Sequence, residues 1–580
     1  MGLAARTVTL GFAILAFAGY TSEALAASSS ALAPPQERCA ALADKMRSAW
    51  PDHSTQVADV RLVPEGTTVP SPFGPPSAAL PEHCLLTASM QQRTGIDGQS
   101  YAIRFNMRLP STWNGRFFFQ GGGGTNGDIG SAIGQIAADV TPALTQGYAV
   151  VSQDSGHDNK TNTVPSKGGA AAFGFDPKAR ADYGGASLKP VADAAKAVIS
   201  VYYGKAPSRS YFVGCSKGGE EGMVFAQRYP AVFDGIVAAD PGFSLPRAAL
   251  AEIWDIQAFA AIASPGAKSF DPRLLPGSVS PEAFGLVRKA VLEACDADDG
   301  ARDGMTAAVG TCTWARVEPE LKKLECPASQ SQNAGCIPAA VITAIDRVYH
   351  GATDRTGKPL YSDWPLDGGI GSDDWRMWKI GPASAMFPGI NVMMGAPSLA
   401  EIFATPPTAL PGDPQSALQY ALNFDFDRDA AKIYATDGTF KQSGWTDVSA
   451  RSPDLSGFRS HGGKMIVPHG ASDPVFSLND TLAWYREVDG LNHGKASSFV
   501  RVFPVPGMAH CAGGPSTDRF DAFSALVAWV EQGKAPERIE ASAGKNTPWP
   551  GRSRPLCPYP KVAKYKGSGS LEDGANFSCE

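Results

Sequence analysis

Chemistry in this chain gathers first around Ser216, at the centre of Gly214-Cys215-Ser216-Lys217-Gly218. The apolar run Arg209-Ser210-Tyr211-Phe212-Val213 precedes it, and Gly219-Glu220-Glu221-Gly222-Met223-Val224-Phe225-Ala226 follows. That pattern predicts a strand, a tight glycine-flanked turn and a helix, with the serine lifted at the apex. A serine hydroxyl is a poor nucleophile until a base takes its proton and an acid orients that base. The pentapeptide also arises by chance in a chain with 62 glycines, so the partners decide the reading.

The order nucleophile, acid, histidine, with each partner on a loop after a late strand, selects two residues. The run Met465-Ile466-Val467-Pro468-His469 leads into Gly470-Ala471-Ser472-Asp473, and Phe499-Val500-Arg501-Val502-Phe503 leads through Pro504 to His510-Cys511. Among eight histidines, His469 precedes the acid and is read as closing its strand, while His157 precedes the serine. Asp480 competes with Asp473. In this reading His510 takes the Ser216 proton and returns it to a leaving alcohol, and Asp473 fixes the imidazole tautomer. A nascent oxyanion would meet the N–H groups of Lys217 and Gly124. Gly124 belongs to the loop Gly121-Gly122-Gly123-Gly124-Thr125-Asn126-Gly127 after the apolar stretch Arg116–Gln120. That loop lacks the Gly-Lys-Ser/Thr ending of a phosphate-binding loop.

Strands alternating with helices predict an α/β fold, with a mostly parallel sheet and helices on both faces. The pattern covers 27–241, is interrupted at 242–453 by a Pro-, Gly-, Met- and Trp-rich stretch read as an inserted lid, and resumes over 454–580. With 43% hydrophobic and 19% charged residues and a net charge of −6, the 580-residue chain argues against nucleic acid or an anionic membrane as partner. Residues 1–26 read as a signal peptide: a basic start, an apolar run from Thr7 to Gly19 too short to span a bilayer, and Ala24-Leu25-Ala26. The expectation is export to the periplasm or the medium, with no membrane anchor after cleavage.

Ten cysteines in an exported chain predict an oxidised set. Counting assigns none, since ten allow about 945 connectivities. Short spacing suggests Cys295 with Cys312, Cys326 with Cys336 and Cys557 with Cys579, with Cys39 and Cys84 stapling the N-terminal segment. Cys215 and Cys511 remain, one beside the serine and one beside the histidine. If Ser216 and His510 meet, these two are neighbours, and their bond would pin base to nucleophile; two unrelated buried thiols are the alternative.

The Cys-Ser and His-Cys adjacencies and the late aspartate together resemble the tannase/feruloyl esterase family. So do Arg93-Thr94-Gly95-Ile96-Asp97-Gly98, Trp113-Asn114-Gly115-Arg116-Phe117-Phe118, Thr405-Pro406-Pro407 and Cys557-Pro558-Tyr559-Pro560. The resemblance implies an α/β-hydrolase fold, serine carboxylesterase activity, five disulfides and no catalytic cofactor. It also implies a structural calcium ion in the lid, held by carboxylates of Asp296, Asp299 and Asp303 and carbonyls of Ala301 and Met305. That acidic stretch does not fit the EF-hand spacing, but it offers the oxygen donors calcium takes. The resemblance places an acyl pocket at Leu245, Trp378, Ser398 and Phe403, with Val475 and Phe476 from the acid loop. Relatives acting on terephthalate half-esters carry a lid arginine at about the position of Ile390, yet no Lys or Arg occurs between Lys379 and Arg428 here. A dry pocket without a cation binds a carboxylate poorly. Lys217 could substitute only in part and is read as solvated. Esters of neutral phenolic acids such as ferulate, caffeate or gallate are therefore expected, with terephthalate half-esters as the alternative. A non-catalytic binding protein on the same scaffold would be expected to lack one of the three catalytic groups.

Overall fold

Three consecutive phenylalanines, Phe117, Phe118 and Phe119, are all fully buried, which a strand allows only when both faces of its sheet are covered. In the computed structural model, which describes residues 2, 32–70, 76–137, 139–327, 335–384 and 387–580, they lie on a central strand of a nine-stranded sheet. The strands are β1 (Gln56–Val63), β2 (His83–Thr94), β3 (Ser100–Pro110), β4 (Arg116–Gln120), β5 (Ala149–Gln153), β6 (Arg209–Cys215), β7 (Gly235–Ala239), β8 (Lys464–Gly470) and β9 (Val500–Val505). Their order across the sheet is β1-β2-β3-β5-β4-β6-β7-β8-β9. The first four positions pair antiparallel, and β5, β4, β6, β7, β8 and β9 run parallel. Parallel neighbours need crossovers, and helices supply them on both faces.

Phe117 and Phe119 pack on one face with helices α1 (Leu188–Tyr203), α2 (Lys217–Arg228) and α5 (Leu478–Leu491). Phe118 packs on the other with α6 (Ala522–Gln532). Strand β3 alternates buried and half-buried residues up to Met107, as an antiparallel strand near the sheet edge should. Helix α6 begins only at Ala522. Arg519 and Phe520 pair instead with Ser542 and Ala541, and the Asp521 carboxylate caps the helix by accepting from the Ser524 N–H at 2.8 Å.

Between β7 and β8 the chain leaves the sheet. The described residues of 240–463 form helices and turns, including α3 (Leu245–Ala263) and α4 (Asp373–Lys379), and add no strand to it. They enclose a second apolar core, to which the sheet domain contributes Tyr101, Phe173, Tyr183, Val475 and Phe476 among others. Disulfides link Cys39 to Cys84, Cys215 to Cys511, Cys295 to Cys312, Cys326 to Cys336 and Cys557 to Cys579. Apart from Gly2, the leader expected at 1–26 lies outside the described residues. No helix among them is long and apolar enough to cross a membrane.

Candidate active site

Strand β6 ends at Cys215, helix α2 begins at Lys217, and Ser216 turns the corner between them at φ 63°, ψ −122°. A non-glycine residue in that region costs about 1–3 kcal/mol and persists only where its surroundings over-determine it. Three backbone hydrogen bonds hold it: the Ser216 N–H donates to the Ala239 carbonyl at 3.1 Å, and its carbonyl accepts from the N–H groups of Gly242 and Glu220 at 3.1 and 3.0 Å. The glycines let helix and strand meet. A Cβ on Gly214 would sit 2.5 Å from the Gly218 carbonyl, and one on Gly219 2.3 Å from the Ala239 oxygen.

The loops after β8 and β9 bring Asp473 and His510 together. His510 Nδ1 donates to Asp473 Oδ2 at 2.8 Å; an ionised carboxylate only accepts, which leaves Nε2 as the basic nitrogen. The Asp473 Oδ1 accepts from the N–H groups of Val475 and Phe476 at 2.7 and 3.1 Å. Burial pushes the Asp473 carboxyl up, but the adjacent His510, its hydrogen bond and His469 outweigh that and hold it below the usual range. The rings of Trp378 and Phe476 meet the imidazole edge-on, at centroid distances of 5.0 and 5.3 Å. His510 Nε2 is buried with no partner among the described residues, so no hydrogen bond joins it to Ser216 here. Such contacts commonly tighten only with substrate bound. The Cys215–Cys511 bond, with Cα atoms 6.0 Å apart, ties the two residues' backbones together.

The competing residues are otherwise engaged. His469, 3.6 Å from Asp473, bonds Thr481 Oγ1 and the Phe476 carbonyl at 2.9 and 3.0 Å, and burial pushes its pKa down. The ring of His157 stacks on Phe173, and Asp480 pairs with Arg451. One residue escaped the sequence reading. Asp240, next after β7, accepts from the Gly470 N–H at 2.8 Å and lies within 4.8 Å of the Asp473 and His510 polar atoms. Burial, then the charge of Asp473, pushes its carboxyl well up. Its only signal was an aspartate closing a buried apolar strand.

Gly124, in the left-handed region at φ 56°, and Lys217 both border the space above Ser216. The N–H of neither meets a protein acceptor among the described residues. Glu221 braces the glycine loop by accepting from the Gly122 N–H and from Asn126 Nδ2, each at 2.9 Å. The Lys217 side chain is not solvated as expected but 1% exposed. Its ammonium lies 2.5 Å from Glu220, 3.5 Å from Glu221 and 4.8 Å from the Tyr183 ring centroid. Two carboxylates three and four residues along one helix draw the charge under the elbow, so it is not free for a substrate.

Leu245, Trp378, Ser398, Phe403, Val475 and Phe476 all line one cavity that opens on Ser216. Thr125, Tyr183, Ala249, Glu252, Met394 and Gly395 complete it, and Ile390 is not part of its wall. Its volume is about 30 Å³, so an aromatic acyl group enters only as lining side chains move aside.

The family model for tannase and feruloyl esterase matches residues 88–580. The chain belongs to that family. It is similar to the mono(2-hydroxyethyl) terephthalate hydrolase of Piscinibacter sakaiensis, at 41% identity over 556 residues, covering 91% of this chain and 89% of that one. A probable feruloyl esterase of Arthroderma benhamiae is 28% identical over 533 residues, 88% of each chain. The solved feruloyl esterase B of Aspergillus oryzae superposes with a TM-score of 0.72 at 24% identity, over 94% of this chain and 100% of that one, and carries the α/β-hydrolase fold. This member of the tannase and feruloyl esterase family is a carboxylic ester hydrolase.

The acidic stretch of the insertion folds around its own backbone. Asp296 Oδ1 accepts from the N–H groups of Asp303, Gly304 and Met305 at 3.2, 3.2 and 3.3 Å, and Asp299 Oδ1 from Ala301 at 2.9 Å. Asp303 pairs with Arg554. Asp299 is 3% exposed; burial, together with the charges of Asp303 and Asp296, pushes it up to about 7. The oxygens of the three aspartates do not all lie within 4.8 Å of one another.

Proposed function

We propose that this esterase cleaves esters of neutral phenolic acids through an acyl-enzyme on Ser216. His510 Nε2 takes the Ser216 proton as Oγ attacks the ester carbonyl, and the Gly124 and Lys217 N–H groups receive the oxyanion. The alcohol leaves with the proton from His510. Water then attacks the acyl-enzyme, with His510 again as base and Asp473 stabilising the imidazolium throughout. Residues 242–453 act as a lid that supplies Leu245, Trp378, Ser398 and Phe403 to the acyl side.

The observation that carries the acyl class is the cavity's charge: among the described residues its one cationic side chain, Lys217, is committed to Glu220 and Glu221. A carboxylate desolvated there would have no counter-ion, which costs far more than burying a phenol. The 41% identity to a protein named for a terephthalate half-ester favours the second reading. Comparing kcat/KM for methyl ferulate, methyl gallate and the terephthalate monoester decides between them, and preference for the charged monoester overturns the first.

Asp296, Asp299 and Asp303, with the Ala301 and Met305 carbonyls, form a set of hard oxygen donors suited to calcium. Among the described residues only Asp303 pairs with a guanidinium, that of Arg554, and a bound cation would relieve the repulsion among the carboxyls. The ion's contribution there is structural, joining the insertion to the C-terminal strands. The five disulfides and the N-terminal pattern support residence outside the cytoplasm.

A further inference from the structure

We propose that Glu252 determines specificity in this esterase, its carboxyl hydrogen-bonding a hydroxyl on the aromatic ring of the acyl group. The inference rests on the phenolic reading above and names the residue that would recognise the phenol. Leu245, Ala249 and Glu252 stand at spacings of four and three along α3, so one face of that helix forms a wall of the cavity that opens on Ser216. Glu252 is 7% exposed. Its neighbours among the buried acids are all engaged: Asp255 with Lys379, Glu220 and Glu221 with Lys217, Asp473 with His510. Burial and the charges of Lys379, Asp255 and Asp473 act on the Glu252 carboxyl, and no hydrogen bond to a described residue is among those influences.

Gly395 makes room for this group, since a Cβ there would lie 1.7 Å from Glu252 Oε2. Buried polar groups are hydrogen-bonded in the great majority of cases, and an unpaired one in a ligand cavity points to a ligand partner. Burial pushes the Glu252 carboxyl up to about 8; Lys379 pulls it back, and Asp255 and Asp473 push it further. The phenols of Tyr183 and Tyr361 also feel it. At neutral pH the group is therefore mostly an uncharged acid, able to donate one hydrogen bond and accept others. A phenol, itself donor and acceptor, matches it. A substrate carboxylate gains no counter-ion from it and is repelled once it ionises.

The test compares methyl p-coumarate with methyl cinnamate, which differ by one ring hydroxyl, in the full-length protein. A site built to bond a hydroxyl rejects the analogue lacking it, so the wild type should prefer the coumarate by at least about ten-fold in kcat/KM. Glu252→Gln should keep most of that preference, and Glu252→Leu should reduce it to within about three-fold of unity. Fluorophosphonate labelling of Ser216 confirms that each variant is folded. Equal wild-type rates, or a Leu variant that keeps the preference, overturn the role of Glu252 and leave the phenolic reading standing. A wild type that turns over only the charged terephthalate monoester overturns both.

Discussion

The Cys215–Cys511 bond closes a loop of 296 residues across the inserted region. On the chain-entropy relation such a loop removes about 19 cal/mol/K from the unfolded chain, or about 5.7 kcal/mol at 25 °C. Unfolding entropy of about 2.1 cal/mol/K per residue, over roughly 550 ordered residues, gives about 1.15 kcal/mol/K, so Cys215→Ala/Cys511→Ala should lower Tm by about 5 °C. The bond Cys326–Cys336 closes only 10 residues, for about 2.7 kcal/mol and about 2 °C by the same relations. Activity separates the two bonds further. Freeing the histidine loop permits displacements near 1 Å, worth about a hundred-fold in kcat, while Cys326–Cys336 lies far from the site in the chain and should leave kcat alone. Scanning calorimetry with esterase assays on both double variants supplies the comparison. Equal Tm losses together with an unchanged kcat in the Cys215/Cys511 variant would refute the claim that this bond positions the base.

Asp240 is a buried acid whose folded pKa is raised, so its contribution is most favourable below the unfolded value and is lost as pH rises from there toward the folded pKa. Asp240→Asn, neutral at every pH and still able to donate to Asp473, should therefore gain Tm over the wild type at pH 8, with the gain shrinking toward pH 4; a constant or reversed difference contradicts the assignment. Asp473 has the opposite sign, its folded pKa lying below 3.8. Its stabilisation is complete above about 3.8 and lost as pH falls through the lower folded value, so Asp473→Asn should flatten the acid limb of Tm against pH and cut kcat by about 10⁴. Chelation with EGTA should lower the Tm of the intact protein and restored calcium should recover it, while Asp299→Asn should abolish the response; a wild type indifferent to EGTA and to added calcium argues against the site.

The elbow and the acid loop were legible because each follows an apolar run, as a strand buried on both faces requires, and the histidine loop because it follows β9, apolar but for Arg501. Their order along the chain then left few candidates. What escaped depends on burial that periodicity does not report. Lys217 with Glu220 and Glu221 has the spacing of an exposed helical ion pair, and only the packing of α2 beneath the glycine loop shows the three desolvated. Glu252 interrupts an apolar helix, a sign of a buried acid, but its exposure to the cavity depends on Gly395, distant in sequence. Asp240 is recognisable only once β7 and β8 are paired, placing it beside the loop that carries Asp473.

The acyl-enzyme tests the central claim most directly. Rapid quenching during turnover of a p-nitrophenyl aromatic ester, followed by peptide mass spectrometry, should find the acyl mass on the peptide carrying Ser216, with a burst of about one p-nitrophenolate per enzyme when deacylation is slow. Ser216→Ala should show neither the adduct nor the burst. Turnover that survives in Ser216→Ala, or an acyl group on another side chain, would contradict the account.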